Sequence, residues 1–129
     1  MWRERLDYTI ELSKNHKYLR VKALSPVTTD IVRRWSEDLV ERSRELNIRC
    51  FLFDVRSVSN VSSVLENYFF AYEDTTALGL SRNNRAAILV SEEDRSHNFA
   101  ETTLRNFGYD VRIFTDESAA IEWLGKKVS

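Results

Sequence analysis

The residues with the clearest chemical potential lie between Cys50 and Glu66, in the stretch CFLFDVRSVSNVSSVLE. An apolar strand ends there on Asp54, and a serine-rich loop then leads into a helix. Ligands of open α/β sheets usually bind at the carboxyl ends of the strands. Asp54, Arg56 and Ser57 are therefore candidates for hydrogen bonding to a ligand or partner. Neither a histidine nor a glycine-rich loop accompanies them, which favours a binding surface over a catalytic centre.

Two serines precede the predicted helix and allow two interpretations. Ser63 and Glu66 have the spacing of a capping box, in which the two residues satisfy amides at a helix start. Alternatively, Ser62 and Ser63 form an anion or phosphorylation site, since a helix N-terminus favours negative charge. Capping is the favoured interpretation, because the carboxylates of Asp54 and Glu66 make the neighbourhood less attractive to anions.

Four aromatic residues follow within five positions: Tyr68, Phe69, Phe70 and Tyr72. They spread over more than one face of a helix, whereas a stripe that faces the core covers about 100 degrees. At least one ring is therefore expected to face solvent, a ligand cavity or another subunit. The alternative is a helix packed between two elements, with the tyrosine hydroxyls reaching water.

Other polar residues give weaker signals. Ser91, Glu92 and Thr115 are expected to join Asp54, Arg56 and Ser57 along one edge of the sheet, either lining a polar cleft or serving as turn and cap residues. His16 is predicted in a hairpin loop and His97 in the first turn of a helix. Neither has metal-ligand spacing to another histidine or to Cys50. We expect no metal and no cofactor, and we expect Cys50 to be a buried small hydrophobic residue.

The elements that must position these residues follow from hydrophobic periodicity. Strands are predicted over 7–13, 17–24, 50–55, 85–90 and 109–114. Helices are predicted from Thr28 or Thr29 to Asn47, over 62–80, from Asp94 or Ser96 to Gly108, and from an Asp116 cap to Gly125. The first helix is expected to direct inward Ile31, Trp35, Leu39, Val40 and Leu46, and the last helix Ala120, Trp123 and Leu124. The order β-β-α-β-α-β-α-β-α predicts one α/β domain over residues 1–129, with a mostly parallel sheet and an N-terminal antiparallel hairpin.

Composition narrows the class of function. Nineteen Lys and Arg residues nearly balance twenty Asp and Glu residues, without a basic run that could follow a phosphate backbone. Nucleic acid is therefore not an expected partner. No stretch of about 18 apolar residues occurs, so we expect no integral membrane association and a soluble, cytoplasmic protein.

The junction FLFDVRSVSNVSSVL and the closing segment IFTDESAAIEWL resemble those of the SpoIIAA-like proteins, a bacterial group also described as STAS-like or Sec14-like. The resemblance extends from about Tyr8 to Leu124. It implies a SpoIIAA-like fold and binding of a partner protein or a small apolar ligand, without catalysis. Antagonists of anti-sigma factors in the wider STAS group carry an Asp-Ser-Ser-Gly turn whose second serine is phosphorylated. In those proteins the strand before the turn also ends in aspartate, and placing Asp54 on it puts Ser62, Ser63, Val64 and Leu65 on the turn. Val64 then stands on the phosphorylated serine and Leu65 on the glycine, so the motif itself is missing, although Ser63 could substitute if the loop were shifted by one residue.

A receiver domain is the second fold that Asp54 suggests, because a receiver carries its phosphoacceptor at this strand end. That fold also needs an acidic pair after the first strand and a lysine after the last. This chain has Ala23, Leu24 and Ser25 at the first place and Thr115 and Asp116 at the second. Asp54 is therefore expected to accept hydrogen bonds from the loop and to pair with Arg56.

Three hypotheses follow. The leading one is a non-enzymatic binding module, expected to be a homodimer, that engages a partner protein or a small apolar ligand through the helix over 62–80 and its preceding loop. The second is a switch responsive to phosphorylation or anions between Asp54 and Ser63. The third is a small enzyme that uses strand-end carboxylates, and it ranks last because acid-base catalysis needs a paired group with a tuned pKa.

Overall fold

The computed structural model describes residues 7–60, 83–106 and 108–126. Its sheet contains β1 (Tyr8–Leu12), β2 (Leu19–Ala23), β3 (Cys50–Asp54), β4 (Arg85–Leu89) and β5 (Asp110–Phe114). The helices within these ranges are α1 (Thr29–Leu46), α2 (Asn98–Asn106) and α3 (Glu117–Leu124). The helix predicted over 62–80 lies outside the described residues.

The strands lie side by side in chain order, β1-β2-β3-β4-β5. The β1–β2 pair is antiparallel and the other three pairs are parallel, which confirms the predicted sheet type. A tight turn closes the hairpin: the Ser13 amide donates to the Tyr18 carbonyl at 2.9 Å, and His16 adopts a left-handed φ of 61°. His16 is exposed in this turn, as predicted.

Each strand sends alternate side chains to opposite faces of the sheet. Phe51 and Phe53 of β3 point towards α1, whereas Leu52 points towards α3. The α1 face carries the larger cluster of buried residues, which includes Leu19, Val21, Ile31, Trp35, Leu39 and Phe51. The cluster on the α3 face contains Leu52, Ala87, Leu89, Ala120 and Leu124.

Helix α1 begins as predicted and extends past the core. Thr28 is its N-cap, and the Thr28 hydroxyl oxygen accepts from the Ile31 amide at 3.2 Å. Ile31, Trp35 and Leu39 are buried, but Leu46 is 46% exposed, so its predicted inward position is wrong. The reason is length: 18 residues of helix extend about 27 Å, whereas a strand of five residues extends about 17 Å.

Two further predicted details differ. Helix α2 starts at Asn98, later than the predicted Asp94 or Ser96, because the Ser96 amide donates to Asp94 Oδ1 at 2.8 Å and forms a turn instead. His97 consequently lies in the turn before the helix. Asp116 occupies the N-cap of α3, but its side chain makes no capping hydrogen bond.

The predicted cap at Gly108 is present. Gly108 follows α2 with a φ of 91°, which is the left-handed conformation typical of a glycine after a helix.

Candidate functional site

The predicted site residues divide between two parts of the chain. Asp54, Arg56 and Ser57 lie within the described residues. The proposed anion or phosphorylation residues Ser62 and Ser63 lie outside them, as do the aromatic residues Tyr68, Phe69, Phe70 and Tyr72. The described parts of the candidate site are therefore the strand ends and the space beneath α1 and α2.

Asp54 belongs to a cluster of four charged side chains, here called the ion cluster: Arg20, Asp54, Arg56 and Glu117. Arg56 bonds Asp54 through two nitrogens, with Nε 3.0 Å from Oδ1 and Nη2 2.8 Å from Oδ2. Arg20 Nη2 lies 2.8 Å from Asp54 Oδ2 and 3.0 Å from Glu117 Oε1. Arg56 Nη2 also reaches Glu117 Oε1 at 3.1 Å. The two arginines therefore bridge both carboxylates.

The surroundings of Asp54 keep it ionised. Burial by itself would raise the pKa of Asp54, but hydrogen bonds from the side chain and backbone of Arg56 and from Arg20 lower it to about 2. The paired carboxylates in turn raise the pKa of Arg20 against the effect of burial. A carboxylate held in this way is a poor proton acceptor, so Asp54 can orient Arg56 but is badly suited to general base catalysis.

The predicted pairing of Asp54 with Arg56 is present, whereas Arg20 and Glu117 had no local signal in the sequence. In the chain, Arg20 lies 34 positions from Asp54 and 97 positions from Glu117. Arg20 alternates with buried Leu19 and Val21 and so points to the α3 face. The adjacency of β2 and β3 then brings it beside Asp54.

A strand-end cleft of about 700 Å³ opens beside the ion cluster. Arg56, Ser57 and Ser91 line it, and the Ser91 hydroxyl donates to the Arg56 carbonyl at 2.6 Å. These three residues are brought together as predicted, with Asp54 buried next to Arg56. The exposed Glu92 and Thr115 are not among the lining residues, which also include Leu24, Pro26, Val58, Ser59, Glu93, Asp94 and Arg95.

A second space, here called the apolar cavity, has a volume of about 150 Å³ and lies between α1, α2 and the strands β3 to β5. Its apolar walls include Trp35, Phe51, Phe53, Ile88 and Val111. Polar residues occur towards its ends, with Asn60 and His97 after the strands and Asn84 and Asp110 near the strand starts. Sequence periodicity marked the wall residues as core, and nothing in that pattern indicated that they leave a space.

His97 lies where the apolar cavity and the strand-end cleft adjoin. It is 4% exposed, and its Nε2 lacks a hydrogen-bond partner among the described residues. Asp94 Oδ2 is 3.5 Å from Nε2, close enough for an ion pair if the ring is protonated. Burial lowers the pKa of His97, and the opposing effects of Asp94 and of a hydrogen bond with the Val58 backbone do not restore it. The ring is therefore neutral at pH 7.

Two further properties bear on the class of site. Among residues 7–60, 83–106 and 108–126, no three His, Cys, Asp or Glu side chains are placed to hold a metal ion. No helix in the same ranges is long and apolar enough to cross a membrane. Cys50 is half-buried, so its predicted full burial is wrong. Its Sγ lies 3.5 Å from the Leu124 carbonyl oxygen, and partial burial raises the pKa of its thiol.

The sequence matches no protein-family model and no curated protein. Among solved structures, the chain is similar to an uncharacterized protein of the DUF3478 family from Shewanella loihica PV-4, described as having a SpoIIAA-like fold. The two are 22% identical with a TM-score of 0.59, over 96% of this chain and 99% of that one.

The chain is also similar to the anti-sigma factor antagonist SpoIIAA in its unphosphorylated form. Here the identity is 9% and the TM-score 0.50, over 92% of this chain and 99% of SpoIIAA. Similarity at these identities establishes architecture and leaves function to be argued from the site. The antiparallel β1–β2 pair, the parallel strands and the near-complete coverage together show that this chain has a SpoIIAA-like fold.

Proposed function

We propose that the protein is a non-enzymatic binding module that takes up a small apolar ligand in the apolar cavity. The observation that carries the proposal is the cavity of about 150 Å³ with aromatic and aliphatic walls. A non-catalytic role is supported by the ion cluster, because both Asp54 oxygens are already bonded to arginines.

The size of the cavity indicates the size of the ligand. In another protein, an engineered cavity of about 150 Å³ lined by Leu, Ile and Phe stays dry and binds benzene or xenon. A ligand the size of one aromatic ring, or a short alkyl chain, therefore suits this space. The proposal extends to Tyr68, Phe69, Phe70 and Tyr72, as residues that supply further apolar contact area; this part rests on the sequence pattern alone.

Benzene is a suitable probe, and a cavity-filling variant supplies the control. Ala100 of α2 lines the cavity and is half-buried, so Ala100→Leu should occupy part of the space. Ala119 of α3 is also half-buried but is not a cavity-lining residue, so Ala119→Leu is the matched control. Benzene at ten times its Kd should stabilise the wild type and Ala119→Leu by about 1.4 kcal/mol in thermal unfolding. Ala100→Leu should lose this response, and an equal response in all three proteins would contradict the proposal.

Native mass spectrometry of freshly purified protein provides an independent test. A small apolar adduct that remains in the native spectrum and is lost after denaturation would identify the ligand directly. The same spectra count subunits and so test the predicted homodimer. A protein without an adduct, combined with no benzene response, would reject the cavity as a ligand site.

A partner protein at the strand-end cleft is the second candidate function, with Arg56 and Ser57 as contact residues and Asp54 as the residue that orients Arg56. The exposed, mixed lining of the cleft supports it, and a similar protein is described as an anti-sigma factor antagonist. If the partner is a second copy of the chain, Ser57→Arg should convert a dimer to a monomer in sedimentation equilibrium. Asn15→Arg in the exposed hairpin turn should leave the dimer intact.

The switch hypothesis also stays a proposal, because Ser62 and Ser63 lie outside the described residues. Ser62→Asp and Ser63→Asp variants that bind a partner or benzene as the wild type does would count against it.

A further inference from the structure

His97 is a buried titratable side chain to which the proposed ligand binding assigns no role. Within the described residues its Nε2 has no hydrogen-bond partner, so the Val58 backbone bond belongs to Nδ1. In the neutral ring Nδ1–H donates to the Val58 carbonyl and Nε2 is an unpaired acceptor. A buried acceptor without a hydrogen bond lowers the free energy of unfolding. The stability of this region should therefore depend on the protonation state of the ring.

The turn that carries His97 holds the neighbouring loop against the sheet. The Asn60 amide donates to the Ser96 hydroxyl oxygen at 2.9 Å, and the Ser96 amide donates to Asp94 Oδ1 at 2.8 Å. On the other side of the loop, the Val27 amide donates to the Ser59 carbonyl at 2.8 Å. Together with the His97–Val58 bond, these contacts join the turn over 94–97 to the loop over 55–60.

This junction forms a wall between the two spaces of the molecule. Val27, Asn60 and His97 line the apolar cavity, whereas Pro26, Ser59 and Arg95, one or two positions before them in the chain, line the strand-end cleft. Opening the wall would therefore connect the cavity to the exposed cleft.

Protonation of His97 acts directly on this wall. It would place a positive charge in a site that is 4% exposed, with the Asp94 carboxylate 3.5 Å away as its compensation. The other charged groups nearby are already engaged or lie outside the wall: Asp110 bonds Arg85 on the neighbouring strand, Glu101 accepts from the Ile113 amide, and Arg56, Glu93 and Arg95 line the cleft. Solvation of the imidazolium thus favours an open wall.

We propose that His97 is a pH-sensitive latch: its neutral ring keeps the wall between the apolar cavity and the strand-end cleft closed, and its protonation opens the wall and releases the ligand. The closing of the wall stands on the geometry of His97 itself. The release of a ligand rests on the proposed function.

Hydrogen exchange tests the latch without a ligand. Protection factors of the Asn60 and Val27 amides are measured at pH 7.5 and pH 5 in the wild type, in His97→Gln and in His16→Gln, which removes the exposed hairpin histidine. Because the ring regains its ordinary pKa in the open form, protection should fall severalfold in the wild type and in His16→Gln. It should stay constant in His97→Gln. The Val55 amide, bonded to the Leu89 carbonyl, should remain protected throughout.

A second variant covers the case in which His97→Gln does not fold. Asp94→Asn retains the Oδ1 acceptor for Ser96 but removes the charge that compensates the imidazolium in the closed wall, so protection of the Asn60 and Val27 amides should fall further between pH 7.5 and pH 5 than in the wild type. The latch is overturned if His97→Gln shows the same fall as the wild type, if the wild type shows none, or if Val55 loses protection equally. Benzene binding at the two pH values separates the proposals: a local fall in protection without benzene binding at either pH supports the latch and rejects the ligand site.

Discussion

The two faces of the sheet are built in different ways. On the α3 face, the fully buried residues Leu52, Ala87, Leu89 and Ala120 are small or branched, and the rings of Phe114 and Trp123, 5.4 Å apart, pack partly buried against them. On the α1 face, large rings provide much of the contact: Tyr8 and Trp35 meet edge to face at 6.1 Å, and Trp35 and Phe53 lie 5.7 Å apart. The apolar cavity lies among these rings.

Charged contacts reinforce the same contrast. The ion cluster anchors the first turn of α3 through Glu117. Arg85 anchors the other end of α3, because its Nη1 donates to the Trp123 carbonyl at 2.8 Å and the Lys126 carbonyl at 2.9 Å while its Nε bonds Asp110. The Arg85 guanidinium also lies 4.6 Å from the centre of the Trp123 ring.

We infer that the two faces of the sheet have different roles, one in stability and the other in binding. Helix α3 is held at both ends over fully buried residues, so this face should provide most of the stability and change little on binding. The opposite face combines a cavity with a buried, incompletely bonded histidine, and strain of this kind is commonly located at functional sites. Breaking each face separately tests this interpretation.

The largest expected effect is on the fully buried core of the α3 face. Leu52→Ala should lower the free energy of unfolding by about 3 to 5 kcal/mol, because a fully buried leucine leaves a new cavity behind. Leu104→Ala at the edge of the apolar cavity should cost about 1 kcal/mol, since the half-buried side chain already borders empty space. Urea denaturation measures both, and equal losses would remove the contrast between the faces.

The ion cluster should produce the next largest effect. Asp54→Asn keeps the shape of the side chain but leaves Arg20 and Arg56 to share Glu117, so we expect a loss of about 2 kcal/mol. Asp30→Asn is the control, because the Asp30 side chain is 73% exposed in its pairing with Arg34 and should be nearly neutral. If the two variants lose the same amount, the ion cluster is not a structural anchor.

The two faces should also lose stability in different pH ranges. The pKa of His97 is lowered in the folded protein, so its contribution is present above about pH 6.5 and is lost as the pH falls below that value. The pKa of Asp54 is lowered to about 2, so its contribution is lost only between about pH 4 and about pH 2. Urea midpoints from pH 7.5 to 2.5 should therefore fall in two steps. His97→Gln should remove the first step. Asp54→Asn should reduce the second, to which Asp94 also contributes because its pKa is lowered by hydrogen bonds from Ser96. A first step that persists in His97→Gln, or an undiminished second step in Asp54→Asn, would refute this explanation.

The smallest contrast lies between the two helix caps. Thr28→Ala should cost about 1 kcal/mol, because the Thr28 hydroxyl oxygen accepts the Ile31 amide. Asp116→Ala should cost less than about 0.5 kcal/mol, because its carboxylate makes no capping bond and contributes chiefly through the helix dipole. Urea titrations of both variants measure the difference, and a larger loss for Asp116→Ala would show that α3 depends on its cap as much as on the ion cluster.

The order and type of the described elements could be predicted from the sequence because they depend on local patterns. Alternation at Asp7–Ser13 and the apolar run at Cys50 indicate strands, and the threonines before Ile31 indicate a helix start. The sequence-based predictions were wrong at positions where a distant or competing contact determines the local structure. These positions are the exposed Leu46, the turn at Asp94 and Asp116, whose side chain makes no capping bond.

The sequence by itself determined the α/β class, the hairpin, the strand that ends on Asp54 and the pairing of Asp54 with Arg56, because each depends on residues close together in the chain. Tertiary structure alone decided that Arg20 and Glu117 complete the ion cluster, that a cavity remains among residues which all have the pattern of core, and that His97 is buried without a described partner for Nε2. These features depend on strand order and on how side-chain volumes add up in three dimensions. Hydrophobic periodicity records which way a side chain points, but not which distant side chain it meets or whether the space between them is filled.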